Sequence, residues 1–293
     1  MIRGFWLGAA AYSIWGLFPI YWKLVADVPA GQVLAHRIVW SCVALGIILA
    51  MPSRPRLPRS AVSARILLLY LAAAILIGVN WYLYVWAVGH DLVVETSLGY
   101  YITPLVNVLL GVAVLRERLR PLTWIAVALA AIGVAILTWG YGAPPRVALG
   151  LALSFGTYGL VKKTAPLPAL EGLALETVLL AAPAALYLAA AERAGSGAFL
   201  HLARTTDLLL VGGGLVTIVP LLLFASAVRT VPLSTMGLLQ FISPTIQLVL
   251  ALGLYGEPFG RSRVIGFVAV WGALLLFAAE QVHRGAVSAD SRT

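Results

Sequence analysis

Four ionisable side chains, His36, Arg37, Glu95 and Glu176, fall inside long apolar stretches of this 293-residue chain. In an apolar environment each costs a few kcal/mol or more when it has no partner. Each must therefore pair with a neighbour, reach an interface, or meet a substrate, an ion or a proton. The Arg37 guanidinium, with His36 beside it, could anchor an anionic group. The Glu176 carboxylate could take a cation or a proton. Glu95 could pair with Arg37 or carry a coupled proton. The structural alternative, in which Arg37 and Glu176 pair with neighbours or snorkel to an interface, stays open here.

A second set of candidates is polar but uncharged. Thr96, Tyr100, Thr103 and Asn107 succeed one another at spacings of 4, 3 and 4, which is one face of a helix. Met236, Gln240, Ser243 and Gln247 repeat those spacings. Facing inward, the two stripes could wall a polar cavity, or they could supply ordinary helix-to-helix hydrogen bonds. Pro104 and Pro244 lie in the same segments. A proline frees a carbonyl one turn earlier, so both are candidate hinges or gating points.

Aromatic residues are unevenly placed, with sixteen of the twenty Trp and Tyr residues before residue 142. Trp6, Trp22, Trp139 and Tyr141 suit an interfacial belt. Tyr12, Trp15, Tyr84, Tyr100 and Tyr101 fall deeper or beside polar residues, as do Asn80 and Trp81. Tyr158 matches Trp15 in the second half. These rings could stack on a planar or amphipathic substrate, and plain packing would explain any single one equally well.

The elements that hold these residues follow from composition. Only 11% of residues are charged and 61% are apolar, with a mean hydropathy of +0.97, where an ordinary soluble domain carries roughly 25% charge. That excludes a single water-soluble globule and a disordered chain, and Cys42 as the one cysteine excludes a disulfide scaffold. Apolar runs of spanning length predict helices near 4–22, 31–51, 66–89, 92–115 and 121–140, then near 146–163, 170–191, 206–229, 232–255 and 262–280. The first run is read as a helix and not as a signal peptide, because no small-residue cleavage site follows it. The expected fold class is therefore an all-α membrane protein with ten transmembrane helices.

The formal charge of +9 comes from basic residues set between apolar runs, which points away from nucleic acid. With the N-terminus inside, thirteen Lys and Arg residues fall on the cytoplasmic side, Lys162, Lys163 and Arg229 among them, and six fall opposite. Both termini are therefore expected to be cytoplasmic. At 1.5 Å per residue, Arg37 lies about 8–10 Å below the outer start of its helix. Glu176, on a helix running the other way, sits in the inner third, roughly 12 Å from Arg37 in depth within a core of about 30 Å. That separation argues against a direct pair. Glu117 before Pro121 and Glu257 before Pro258 are expected to favour the helix starts that follow them.

The chain also repeats itself. Shifted by 140 residues, 69–119 aligns with 209–259 without a gap and with ten of 51 positions identical. Rare features match as well: Ile102-Thr103-Pro104 meets Ile242-Ser243-Pro244, and Glu117 and Glu257 each stand thirteen residues after the proline. Leu34-Ala35-His36-Arg37 meets Leu173-Ala174-Leu175-Glu176, so Arg37 and Glu176 occupy equivalent positions. The predicted organisation is a first five-helix repeat over 1–141, a second over 142–282, and a short cytoplasmic tail over 283–293. Five helices per copy give the copies inverted topology, an arrangement recurrent in secondary transporters, with the site near midplane between them.

Other chemistries lack their residues. There is no G-x-x-x-x-G-K-[ST] loop, so an ATP-driven pump would need another subunit. Four histidines and one cysteine, scattered along the chain, form no zinc-type cluster. Neither a serine nucleophile motif nor paired aspartates are present. No cofactor, metal or catalytic group is expected.

Gly78-Val79-Asn80-Trp81-Tyr82-Leu83-Tyr84-Val85-Trp86-Ala87-Val88, Glu95-Thr96-Ser97-Leu98-Gly99-Tyr100-Tyr101-Ile102-Thr103-Pro104-Leu105-Val106-Asn107, Ala35-His36-Arg37-Ile38-Val39-Trp40-Ser41 and Pro220-Leu221-Leu222-Leu223-Phe224 resemble RarD proteins. These are EamA-type members of the drug/metabolite transporter superfamily. The resemblance covers nearly the whole chain, and Leu115-Arg116-Glu117 departs from it where relatives usually have a glycine before the glutamate. It implies two inverted five-helix repeats, a bacterial inner-membrane location, and export or exchange of a small metabolite or drug through a central cavity. The expected partners are a small-molecule substrate and the lipid bilayer, with the oligomeric state open between monomer and homodimer. Two other classes remain to be separated from transport: a membrane sensor that binds without translocating, and an integral-membrane lipid enzyme.

Overall fold

The computed structural model describes residues 2–51, 63–90, 92–139, 144–254 and 261–290. Eleven helices account for most of them, and no strand occurs among the described residues. In chain order they are α1 (Ile2–Leu24), α2 (Ala30–Ala50), α3 (Ala64–Gly89), α4 (Val93–Ala113), α5 (Pro121–Trp139), α6 (Arg146–Thr164), α7 (Ala169–Arg193), α8 (Arg204–Val228), α9 (Leu233–Gln240), α10 (Ile242–Gly253) and α11 (Arg261–Asp290). Helix is the one open-chain element that satisfies its own backbone in lipid. Proline marks the starts: it directly precedes α2, α6, α7 and α9 and opens α5, where its missing N–H is no loss. Gly195, at φ +70°, ends α7 in the left-handed turn that only glycine adopts without strain.

Two boundaries differ from the sequence expectation. The ninth expected helix, near 232–255, is divided into α9 and α10 at Phe241. Pro244 has no N–H to return to the Gln240 carbonyl, so the ladder breaks one turn before it. The last helix runs to Asp290, past the expected end near 280.

Among the described residues, seven segments are long and apolar enough to cross a membrane: those in α2, α3, α4, α5, α7 and α8, and Leu233–Leu250 across α9 and α10. α1 is diluted by three Trp and two Tyr, and α6 carries Arg146, Lys162 and Lys163. The structure is thus a membrane-type helical bundle, and exposed Trp6 and Trp139 sit on its rim.

Most helices pack mainly against the other half of the chain. α1 lies on α8 and α10, α2 on α7 and α8, α3 on α6, α4 on α6 and α9, and α5 on α11. Glycine permits the closest crossings. A Cβ on Gly214 of α8 would lie 2.5 Å from the Trp40 carbonyl carbon and 2.7 Å from the Ser41 nitrogen of α2. One on Gly237 of α9 would lie 2.5 Å from the Pro104 carbonyl oxygen of α4. Small residues that admit backbone to backbone are a recurrent device of membrane helix packing.

Candidate functional site

A cavity of about 170 Å³ lies between the two halves. α1 contributes Tyr12, Trp15, Phe18 and Trp22, α2 contributes Arg37, and α3 contributes Asn80, Trp81 and Tyr84. α4 adds Thr96, Tyr100 and Thr103, while Gln240 and the α10 residues Ser243, Pro244 and Gln247 close the opposite wall. Both polar stripes therefore face one space. Their lower members lie beneath it: buried Asn107 donates its Nδ2 to Gln240 Oε1 at 3.0 Å, and Met236 is fully buried.

Among the described residues, Arg37 is the one charged member of this lining. Its Nε donates to Thr217 Oγ1 at 2.8 Å. Its guanidinium carbon stands 4.6 Å from the Trp22 ring centre, 5.2 Å from that of Trp81 and 5.7 Å from that of Phe18. Trp22, suited by sequence to an interfacial belt, instead covers the guanidinium. No carboxylate lies within ion-pair distance of Arg37 among the described residues. Glu95 does not pair with it: one carboxylate oxygen accepts the Val147 N–H at 2.7 Å, at the start of α6, where the helix dipole favours an anion.

A vestibule of about 530 Å³ shares Trp22, Arg37, Tyr84 and Tyr100 with the cavity and continues past Lys23, Val28 and Ala30, at the end of α1 and the start of α2. The other end is filled. Tyr12, Tyr158, Phe224, Leu233 and Met236 pack there with almost no exposure. Behind them Lys162 Nζ lies 2.7 Å from Glu176 Oε1, and the Tyr158 hydroxyl donates to Glu176 Oε2 at 3.1 Å. A void of about 10 Å³ beside Glu176 and Tyr158, with Trp81 and Leu221 on its wall, barely admits one water.

Glu117 ties the same end together. Its carboxylate accepts the N–H groups of Leu233 at 2.6 Å and Ser234 at 3.0 Å, and the Ser234 hydroxyl at 2.6 Å. It therefore caps α9, in the other half of the chain, and not the helix that follows it. Glu257 and Tyr141 lie outside the described residues.

Several expected site residues are elsewhere. His36 is buried against the Phe199 ring, 5.1 Å between centres, on the far side of α2. Tyr101 points into the α4–α5–α11 core, a rotation of one residue from Tyr100. Pro104 is buried where α9 crosses α4. Lys162, counted by sequence as a cytoplasmic marker, is 3% exposed and serves as the partner of Glu176. Sequence reasoning also passed over Phe18, Phe155 and Thr217. Only Thr217 left a signal, as a polar residue deep in an apolar helix.

Comparison with known proteins bears on what this cavity is. Residues 2–139 match the EamA-like transporter family. The chain is 45% identical to the uncharacterized transporter YojE of Bacillus subtilis, over 94% of this chain and 93% of the relative. It is 43% identical to protein RarD of Streptomyces exfoliatus, over 93% and 87%, and 39% identical to protein RarD of Escherichia coli, over 96% and 95%. It belongs to the EamA-like transporter family, among its RarD-like members. A solved structure described as "Crystal structure of protein" superposes with a TM-score of 0.67 at 18% identity, covering 93% of this chain and 96% of that one. That likeness concerns the fold of this RarD-like chain alone.

Proposed function

We propose that this RarD-like protein is a secondary transporter working by alternating access, an exporter or exchanger of a small metabolite or drug in the bacterial inner membrane. The observation that carries this reading is the cavity between the halves, continuous with a vestibule at one end and sealed at the other. The packing supports two inverted five-helix repeats. Exchanging the halves turns α1 on α8 into α6 on α3, and α1 on α10 into α6 on α4, and both members of each pair occur. Within ten spans, α9 and α10 count as one. With both termini cytoplasmic, the vestibule faces outward and the Lys162–Glu176 end faces the cytoplasm.

Rocking one repeat against the other would close the vestibule over Arg37 and open the Glu176 end. The gaps at Phe241 and the prolines Pro104 and Pro244 are the points at which the pore-facing helices can bend. Glu176 and Glu95 are the candidate coupling carboxylates. The test is counterflow in liposomes preloaded with any solute that stabilises the purified protein in a thermal-shift screen. Accumulation of label against its gradient supports transport. Specific binding without counterflow indicates a sensor, and chemical conversion of the solute an enzyme. For coupling, full pH-gradient-driven flux in Glu176→Gln rules out a proton path through that residue.

A further inference from the structure

We infer that the central cavity selects a small organic anion, a monocarboxylate or an oxyanion of like charge carried on an apolar body, and that Arg37 is the residue that binds its charge. This deepens the transport reading and rests on it. Among the described residues lining the cavity and vestibule are two cations, Arg37 and Lys23, and no acid. Arg37 is fixed for recognition. Thr217 holds Nε, the rings of Trp22, Trp81 and Phe18 surround the group, and its two terminal nitrogens have no hydrogen-bond acceptor among the described residues. Two parallel N–H donors held in a plane match the two oxygens of a carboxylate.

Further donors stand nearby without protein partners. The hydroxyls of Tyr84 and Tyr100 line the same wall and make no hydrogen bond to the described residues. Both hydroxyls open on the cavity and are free to donate to a bound oxyanion. Trp15, Phe155, Ile77 and Leu221 give the rest of the wall an apolar part beside the polar Asn80, Thr103, Gln240 and Ser243. A cationic or zwitterionic solute fares worse: its ammonium group would meet no carboxylate among the described residues and would be repelled by the guanidinium, which itself covers the faces of Trp22, Trp81 and Phe18. At about 170 Å³ the cavity falls below the roughly 300–1,000 Å³ of sites for drug-sized ligands, which favours a small metabolite.

The experiment measures binding to the purified full-length protein by Trp fluorescence and thermal shift, using a panel of aryl and alkyl monocarboxylates, their carboxamides and the corresponding amines. At least one carboxylate is expected to bind, with its carboxamide about tenfold weaker or more and its amine not at all. Arg37→Gln removes that preference, while Arg37→Lys keeps it at reduced affinity. Both variants are first checked for a wild-type melting profile. Binding of the amide or amine as tightly as the carboxylate overturns the inference, as does failure of every carboxylate, or an undiminished preference in Arg37→Gln. Counterflow separates the two readings. Arg37-dependent carboxylate binding without exchange keeps the anion site and removes the transporter. Exchange of a neutral or cationic solute that is indifferent to Arg37→Gln keeps the transporter and removes the anion site.

Discussion

Arg37 and Glu176 occupy equivalent positions in the two halves of the chain, on α2 and α7, yet their surroundings differ in kind. Glu176 is 1% exposed and saturated, with Lys162 on one oxygen and Tyr158 on the other, behind a packed aromatic and aliphatic layer. Arg37 faces a cavity and a vestibule, held by one threonine and three rings and by no acid. Two positions matched in sequence thus carry one completed charge pair and one cation that lacks a counter-ion among the described residues. A closed end holds itself shut with its own residues, and an open end leaves the counter-ion to be supplied by what it binds.

The largest effect that could break this contrast is at Lys162. Lys162→Met leaves Glu176 buried without its cation, and removing one member of a buried pair costs about 3–5 kcal/mol. Thermal unfolding in detergent should show a steep loss of stability. The double variant Lys162→Met/Glu176→Leu should recover most of it, since an apolar pair of similar volume commonly matches a buried ion pair. If Lys162→Met melts with the wild type, the closed end is not held by this pair.

Next in size is the crossing that fixes Arg37. Gly214→Ala places a methyl group against the α2 backbone at Trp40 and Ser41, which cannot move as a side-chain tip can. Overpacking of this kind costs about 1–3 kcal/mol. It should shift α8, and Thr217 with it, away from Arg37. A variant that unfolds at the wild-type temperature would mean that the two helices are not so closely apposed. Glu117→Gln should cost less, about 1–2 kcal/mol, by replacing a charged cap on α9 with an amide that offers a donor to the donors it must accept. The loss should disappear when α9 is uncapped already, so Ser234→Ala added to Glu117→Gln should lower the melting temperature little further.

Much of this was legible in the residues, for stated reasons. Spans follow from long runs without charge, and the prolines and turns between them locate their ends, so the helices fall near their expected positions. The division at Phe241 was not foreseen, because Pro104 leaves α4 continuous and nothing local separates it from Pro244. Period 3.6 placed Thr96, Tyr100 and Thr103 on one face, but it could not choose between Tyr100 and Tyr101, adjacent and alike in chemistry, until α5 and α11 were seen to take the second. Lys162 was hidden by its position: a lysine at a helix end reads as a loop marker, and only the tertiary fold brings it to Glu176 on α7. Glu117 was legible as an anion at a helix start and Glu95 only as a partner for Arg37 or a proton carrier, and the helix start each one serves is decided by tertiary packing.

The smallest expected effect sharpens the contrast most. Arg37→Met removes a charge with no carboxylate partner, keeps the apolar stem that packs beneath Trp22 and Trp81, and leaves Thr217 its bond to the Gly213 carbonyl at 2.7 Å. The ring contacts and the Thr217 hydrogen bond that are lost are set against the cost of holding a cation out of water without a counter-ion, so stability in detergent should stay within about 1 kcal/mol of wild type or rise above it. The same methionine substitution at Lys162 is expected to be severe. The two differ only in whether the protein itself supplies the opposite charge. Should Arg37→Met destabilise the protein as Lys162→Met does, Arg37 would be structural, and the open end would be paired in a way the geometry does not show. Stability kept while carboxylate binding is lost would place the cost of holding that cation on the function it serves.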